Sequence, residues 1–273
     1  MSEELSLHAK LSTWLDKNGY PLEMLVASIA RKHTQLSIRQ GWYYIDSESG
    51  DSREIDIVCT AADGYGSAEI NFVIECKATK GPWVIFSSED ALASYHKLAS
   101  FALFSEKAYD AVIEQVFPRA MDIPEEYLDS KSIPWLHKTG MIGYSMAQAL
   151  GGNKDVPYNA SISCVKAATW LINNSLWSDN TQNRPFAISF PIIVTSSPLF
   201  ECTLDENGKT ILSEISHGYV FFKQHVKDSS PTCISIVTES HIETFMKECQ
   251  SVANHLLEAM DDALVSHFRE QYI

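Results

Sequence analysis

Residues 53–82 read REIDIVCTAADGYGSAEINFVIECKATKGP, two apolar runs joined by a turn at Asp63-Gly64-Tyr65-Gly66. Side chains of a β-strand alternate between its two faces. In the second run Ile70, Phe72, Ile74, Cys76 and Ala78 therefore share one face, and Asn71, Val73, Glu75 and Lys77 share the other. In the first run Ile55, Ile57 and Cys59 are expected on one face, with Glu54 and Asp56 opposite. A strand this apolar belongs in the middle of a sheet. Asp56, Glu75 and Lys77 in such strands cost desolvation unless they meet each other or a cation. Two carboxylates and one ammonium on adjacent strands describe a site for a hard cation with a basic helper.

The pattern Asp56 … Glu75-Cys76-Lys77, nineteen positions from the first acid to the second, resembles the PD-(D/E)xK (restriction-endonuclease-like) nuclease superfamily. The proline of the family signature is missing, and Ile55 stands in its place. The resemblance implies an α/β fold with an αβββαβ core, a mixed central sheet flanked by helices. It also implies a Mg²⁺- or Mn²⁺-dependent endonuclease that hydrolyses phosphodiester bonds in DNA, and less readily in RNA. Asp56, Glu75 and the Cys76 carbonyl would be its oxygen ligands, and Lys77 would assist water or phosphate. An all-oxygen ligand set suits magnesium better than zinc. Family members place an acid on the helix before the core strands, and Glu23 is the residue in that position. Glu54, Lys80, Lys32 and His96 or Lys97 are further candidates for support of the site. Each also reads as an ordinary solvated side chain, and Glu23 as a charge favourable to a first helical turn.

Upstream of the core run, Leu5 to Lys17 carries an apolar stripe at helical spacing, and Gly19 stops it. Pro21 opens a second helix, Leu22 to His33. Gln35 to Asp46 is rich in β-branched and aromatic residues and reads as a strand, with 47–52 a polar turn before the core run. Downstream, Gly81-Pro82 ends the second core strand and Ser88 to Lys107 reads as a capped helix. The irregular region 108–156, with its prolines and glycines, reads as an insertion with short helices. Its Trp135 and Tyr144 suit either packing or stacking on a base. Tyr158 to Trp177 fits a crossover helix, and Phe186 to Thr195 (FAISFPIIVT) fits a parallel strand buried on both faces. Pro191 removes a ladder donor from that strand, which points to an edge or a bulge. A hairpin around Asp205-Glu206-Asn207-Gly208 and a short strand at Cys233 to Val237 follow. Ser240 and Glu243 form a capping-box pattern ahead of one long amphipathic helix reaching about Phe268.

At 273 residues, 45% hydrophobic and 21% charged, the chain has the composition of a single globular domain. No apolar run is long enough to span a bilayer and the first residues lack a secretory pattern, so a cytoplasmic protein without membrane contact is expected. None of the six cysteines forms a Cys-x-x-Cys pair, which leaves buried thiols as the expectation. The chain has no phosphate-binding Gly-x-x-x-x-Gly-Lys loop, no His-Glu-x-x-His pair and no Gly-x-Ser-x-Gly elbow. A net charge of −14 opposes the phosphate backbone. A nuclease of this charge needs a local basic surface, divalent cations or a basic partner subunit. The alternative reading is a catalytically silent nuclease-like subunit that binds or regulates through a protein partner. A third is a purely structural pairing of Lys77 with the acids. For an active enzyme, restriction, phage defence, repair and mobile-element processing are the settings that fold analogy offers.

Overall fold

The structure, a computed structural model, describes residues 6–15, 18–64, 66–89, 91, 98–116, 141–151, 155–174, 185–223 and 230–272. Helix α1 (Leu7–Leu15) is followed by α2 (Tyr20–His33) and by strands β1 (Ser37–Ile45), β2 (Ser52–Ala62), β3 (Ala68–Lys77), β4 (Trp83–Ser88) and β5 (Leu103–Phe104). A short helix α3 (Glu106–Tyr109), β6 (Ile142–Gln148), α4 (Val156–Asn173), β7 (Phe186–Thr195), β8 (Leu199–Leu204), β9 (Thr210–Ile215), β10 (His217–Phe222), β11 (Thr232–Thr238), α5 (Ile242–Ala259) and α6 (Asp261–Tyr272) complete the order.

All eleven strands join one mixed sheet in the order β1-β2-β3-β7-β11-β10-β6-β4-β8-β9, with β5 against β7. The first three strands are an antiparallel meander. β3, β7 and β11 then run parallel at the centre. A parallel neighbour needs a crossover, and α4 supplies it, packing on β3 and β7. The strands at the centre are buried on both faces, as such a sheet demands: every residue of β7 and of β11 is buried. One face packs Ile57, Cys59, Phe72, Ile74 and Phe190 against α2 and α5 through Val26, Ala30, Phe245, Val252 and Leu256. The other packs Ile55, Val58, Val73 and Ile193 against α4 through Cys164, Val165, Ala168 and Leu171.

The expected meander, crossover helix and parallel strand are all present. Several other expectations are corrected. Pro191 sits in the middle of the sheet, neither at an edge nor in a bulge, and the β3–β7 register runs unbroken through Val73↔Pro191. Beside it the buried Cys164 thiol donates to the Val73 carbonyl (3.3 Å) and accepts from the Ile192 N–H (3.2 Å), so a helix side chain completes the ladder where the imino acid lacks a proton. Where Ser88 to Lys107 is expected to be helical, the described residues hold the end of β4, a 3₁₀ turn (Leu98–Ser100), β5 and only the start of α3, while 90 and 92–97 lie outside the described residues. Trp83, Ile85 and Ser87 alternate with less buried residues, the period of a strand, and Ser87 and Ser88 are its last residues instead of a cap. Within the region read as an insertion, β6 belongs to the sheet, pairing with β4 and β10, and residues 117–140 and 152–154 lie outside the described residues. Trp135, His96 and Lys97 lie outside the described residues.

At the C-terminus the long helix is two, divided at Met260. Its capping box does not form. Ser240 Oγ bonds to Thr238 Oγ1 (3.0 Å), Glu243 pairs with Lys247 (2.7 Å) and His33 (3.4 Å), and a single 3₁₀ turn precedes α5. Five of the six free cysteines are buried and Cys202 is partly so, as expected. No helix among the described residues is long and apolar enough to cross a membrane.

Candidate active site

Asp56, Glu75 and Lys77 come together where β2 and β3 separate. The ladder between these strands ends at Ile57↔Ile74. One step further the register sets Asp56 opposite Glu75. Lys77 N–H and C=O face β7, since Ser196 N–H donates to the Lys77 carbonyl at 3.3 Å. Alternate residues of a strand offer their backbone groups to opposite neighbours, so the N–H and C=O of Cys76 face β2. With the ladder open, Asp56 Oδ2 accepts the Cys76 N–H at 2.7 Å in place of a backbone carbonyl. The Cys76 carbonyl is thus turned toward the same opening.

Strand β2 also changes face here, which the alternation expected for Ile55, Ile57 and Cys59 did not foresee. Ile57 packs with α2 and α5, while Ile55 packs on the α4 side. The partner strand does the same across Gly41, which takes a left-handed φ of 61°. Ladder pairs Gln40↔Ile57 and Trp42↔Ile55 flank the change, with Gly41 and Asp56 between them. This local twist turns the Asp56 carboxylate toward the end of β3. Glycine at 41 serves because a side chain there would meet strain and crowd Glu54 Oε1.

The electrostatics of the opening are unbalanced. Lys77 Nζ lies 2.5 Å from Glu75 Oε1, with side-chain exposures of 31% and 12%. Burial pushes the Asp56 carboxyl above its ordinary value, against the pull of the Cys76 N–H and of Lys77. Burial and the neighbouring Asp56 push Glu75 up as well, opposed by Lys77. Burial works to lower the Lys77 ammonium, but the two carboxylates outweigh it and hold it above its usual range. Glu23, reaching in from the first turn of α2, is raised to about 7 by burial and by Asp56 and Glu54. Three carboxylates face one ammonium.

The other sequence candidates divide. Glu54 is exposed at the rim and acts on Glu23 and Asp56 through its charge. Lys80 is exposed, three residues beyond Lys77, and Lys32 is exposed in the last turn of α2. Tyr144 is an exposed residue of β6, on the far side of the central strands. Sequence reasoning missed the residues that brace the site from behind. Ser197 Oγ bonds to the Thr79 carbonyl (2.6 Å), the Thr79 and Ser197 hydroxyls lie 2.7 Å apart, and Trp83 Nε1 donates to Thr79 Oγ1 (2.9 Å). These bonds tie the chain leaving β3 at Lys77 to the chain leaving β7. A hydroxyl two residues past each strand end was the only signal available.

Among the described residues no group of three or more His, Cys, Asp or Glu side chains is arranged to hold a metal ion. The donor chemistry present is two carboxylates and a backbone carbonyl, with Asp56 Oδ2 and Glu75 Oε1 already engaged. That set fits a hydrated hard cation, which keeps several of its own waters and takes one or two carboxylates. It does not fit zinc.

The Glu23 shift yields a pH test. Its folded pKa is raised, so its stabilising contribution is complete below about 4.5 and is lost as pH rises through about 7. Glu23→Gln should melt close to wild type below about pH 4.5, increasingly above it between about pH 4.5 and 7, and by a constant margin at higher pH. A difference in melting temperature that does not grow with pH would contradict the assignment.

Comparisons with models of protein families, with curated proteins and with solved structures find no match to this chain.

Proposed function

We propose that the protein is a Mg²⁺-dependent (or Mn²⁺-dependent) phosphodiesterase acting on DNA, with Asp56, Glu75 and Lys77 as its working residues and a restriction-endonuclease-like core as its scaffold. One observation carries the reading. Two largely buried carboxylates oppose each other at a deliberate break in the β2–β3 ladder, with a third nearby and a single ammonium to offset them. Buried like charges are held at a cost that a divalent cation relieves. The helix–meander–crossover–strand topology is also the one the sequence resemblance implies.

Asp56 and Glu75, with the Cys76 carbonyl, would hold the ion. Bound there, it polarises a phosphoryl oxygen and acidifies a coordinated water. Lys77 is placed to orient the attacking water and to offset the charge that builds on the phosphate. Its raised pKa keeps it protonated at neutral pH. Asp56, fixed by the Cys76 N–H, needs no reorganisation to act.

The experiment is a panel of single-stranded, duplex and branched DNA and RNA incubated with and without Mg²⁺. Cleavage that requires Mg²⁺, and that Lys77→Ala lowers by about 10²-fold or more, supports the reading; a loss of that size is common for removing one charge-stabilising group. Cleavage indifferent to Lys77→Ala contradicts it. The second reading, a silent nuclease-like subunit that binds a protein partner, draws on the −14 net charge. It gains if no substrate is cut although divalent ions bind.

A further inference from the structure

The sheet edge next to the candidate site carries an aromatic–cation pair that the chemistry of Asp56, Glu75 and Lys77 does not use. Arg39 and Trp42 stand three residues apart on β1, so an unbroken strand would place them on opposite faces. The left-handed Gly41 between them reverses the alternation. Their ladder partners, Val58 for Arg39 and Ile55 for Trp42, both pack on the α4 side. The Arg39 guanidinium consequently lies over the Trp42 ring, 5.0 Å from its centroid. Trp42 nevertheless remains 36% exposed and its neighbour Tyr43 58% exposed, on an edge strand.

The pair is close to the acids. Gly41, Asp56 and Glu75 succeed one another across β1, β2 and β3, and neighbouring strands are about 4.8 Å apart. Trp42 therefore stands on the order of 10 Å from Glu75. It also shares its face of the sheet, because Glu75 and Lys77 lie on the same face of β3 as Val73, which packs on the α4 side. Arg53, with its side chain 55% exposed, adds a second cation on β2 opposite Tyr44.

We propose that Arg39 and Trp42 form a stacking platform for single-stranded nucleic acid, one base lying on the indole–guanidinium pair and the guanidinium meeting an adjacent phosphate. The strand then runs over β1 and β2 toward the carboxylates. That direction rests on the cleavage reading; the platform itself does not. Charge decides for a single strand over a duplex. With −14 overall and few cations at this edge, the chain cannot rely on neutralising phosphates. Stacking of an unpaired base on an aromatic ring or an arginine plane adds affinity that does not come from neutralising phosphates, and it is unavailable to a base inside a duplex.

The test is fluorescence anisotropy with a labelled fifteen-nucleotide thymidine strand and with the matching duplex, in EDTA and 50 mM salt, so that no cleavage intervenes. Wild type should bind the single strand more tightly than the duplex. Trp42→Ala should weaken single-strand binding about tenfold, and Trp42→Phe should restore most of it. Arg39→Ala should flatten the salt dependence by about 0.7 in log–log slope, one single-strand phosphate contact. Unchanged melting curves for these partly exposed positions confirm that folding is intact. The platform is overturned if wild type ignores the single strand, if it prefers the duplex, or if Trp42→Ala binds as wild type does. The two readings part cleanly. Trp42-dependent binding without Mg²⁺-dependent cleavage removes the enzyme and leaves the platform. Cleavage of single strands by Trp42→Ala with unchanged KM removes the platform and leaves the enzyme.

Discussion

Asp56→Asn should abolish Mg²⁺-dependent cleavage while raising the melting temperature. The two effects have one origin. Asparagine keeps an oxygen to accept the Cys76 N–H, so the turn of β2 toward β3 survives. It removes a charge that burial and Glu54 disfavour and that in turn raises Glu75 and Glu23. With Asp56 neutral, Lys77 and Glu75 become a nearly balanced buried pair. The fold gains, and the proposed cation site loses a carboxylate. Sites that hold charge for a task give up stability to do so. The expected loss of activity is about 10³-fold or more, in the range found when an electrostatic centre is dismantled. The rise in melting temperature should be largest above neutral pH, where the carboxylates are most fully ionised. Activity is read with the substrate panel and stability by thermal melting at pH 6 and pH 8. A variant that melts lower at both would mean that the Asp56 charge is structural, satisfied by Lys77.

The second large effect concerns the brace behind the site. Trp83 is fully buried, and its indole donates to Thr79 at 2.9 Å. Trp83→Ala should destabilise the protein by about 3–5 kcal/mol through the cavity alone. In a chain of this size that corresponds to a fall of roughly 10 °C in melting temperature. Trp83→Phe keeps most of the packing and loses the bond to Thr79, so it should cost about 1–2 kcal/mol. The brace also holds the exit from β3, through Thr79 and Ser197. Trp83→Phe is therefore expected to lower cleavage at temperatures where the protein is still fully folded. Stability close to wild type in Trp83→Ala would contradict the packing described for β4.

Why some of this was legible in the sequence and some not is a matter of which forces act locally. β3 and β7 announce themselves because a strand buried on both faces must be apolar almost throughout, and the acids at 56 and 75 stand out against that background. β4 did not, because Pro82 before it and two serines after it imitate the approach to a capped helix, while only three residues, Trp83, Ile85 and Ser87, carry the alternation. β6 was hidden by glycine. Gly143 reads as a loop residue, yet it lies mid-strand because any side chain there would collide with Ile85 and the Tyr219 carbonyl. Pro191 argues against a central strand for the opposite reason. Its missing proton is compensated by Cys164, twenty-seven residues earlier and on a different element, a partnership that no local pattern reveals.

The site divides along the same line. The types and spacing of Asp56, Glu75 and Lys77 were enough to select them, since period-2 geometry sets the alternation of Glu75 and Lys77. The exchange of faces at Gly41 and Asp56 was not readable, because it depends on how two strands twist around each other. That exchange aims Asp56 and, on the neighbouring strand, assembles Arg39 with Trp42. Glu23 was found only through its place on the helix before the core strands. Its pKa is raised to about 7 by burial first, and then by the charges of Asp56 and Glu54.

The central claim is that Asp56 and Glu75 jointly hold one divalent cation. Titration calorimetry with Mn²⁺ at pH 7.5, on wild type, Asp56→Asn and Glu75→Gln, measures it without reference to any substrate. Binding should be seen in wild type, with protons released as Glu23 and its neighbours give them up, and should be lost in each variant while both remain folded. Binding that persists in either variant, or none in wild type, would contradict the account.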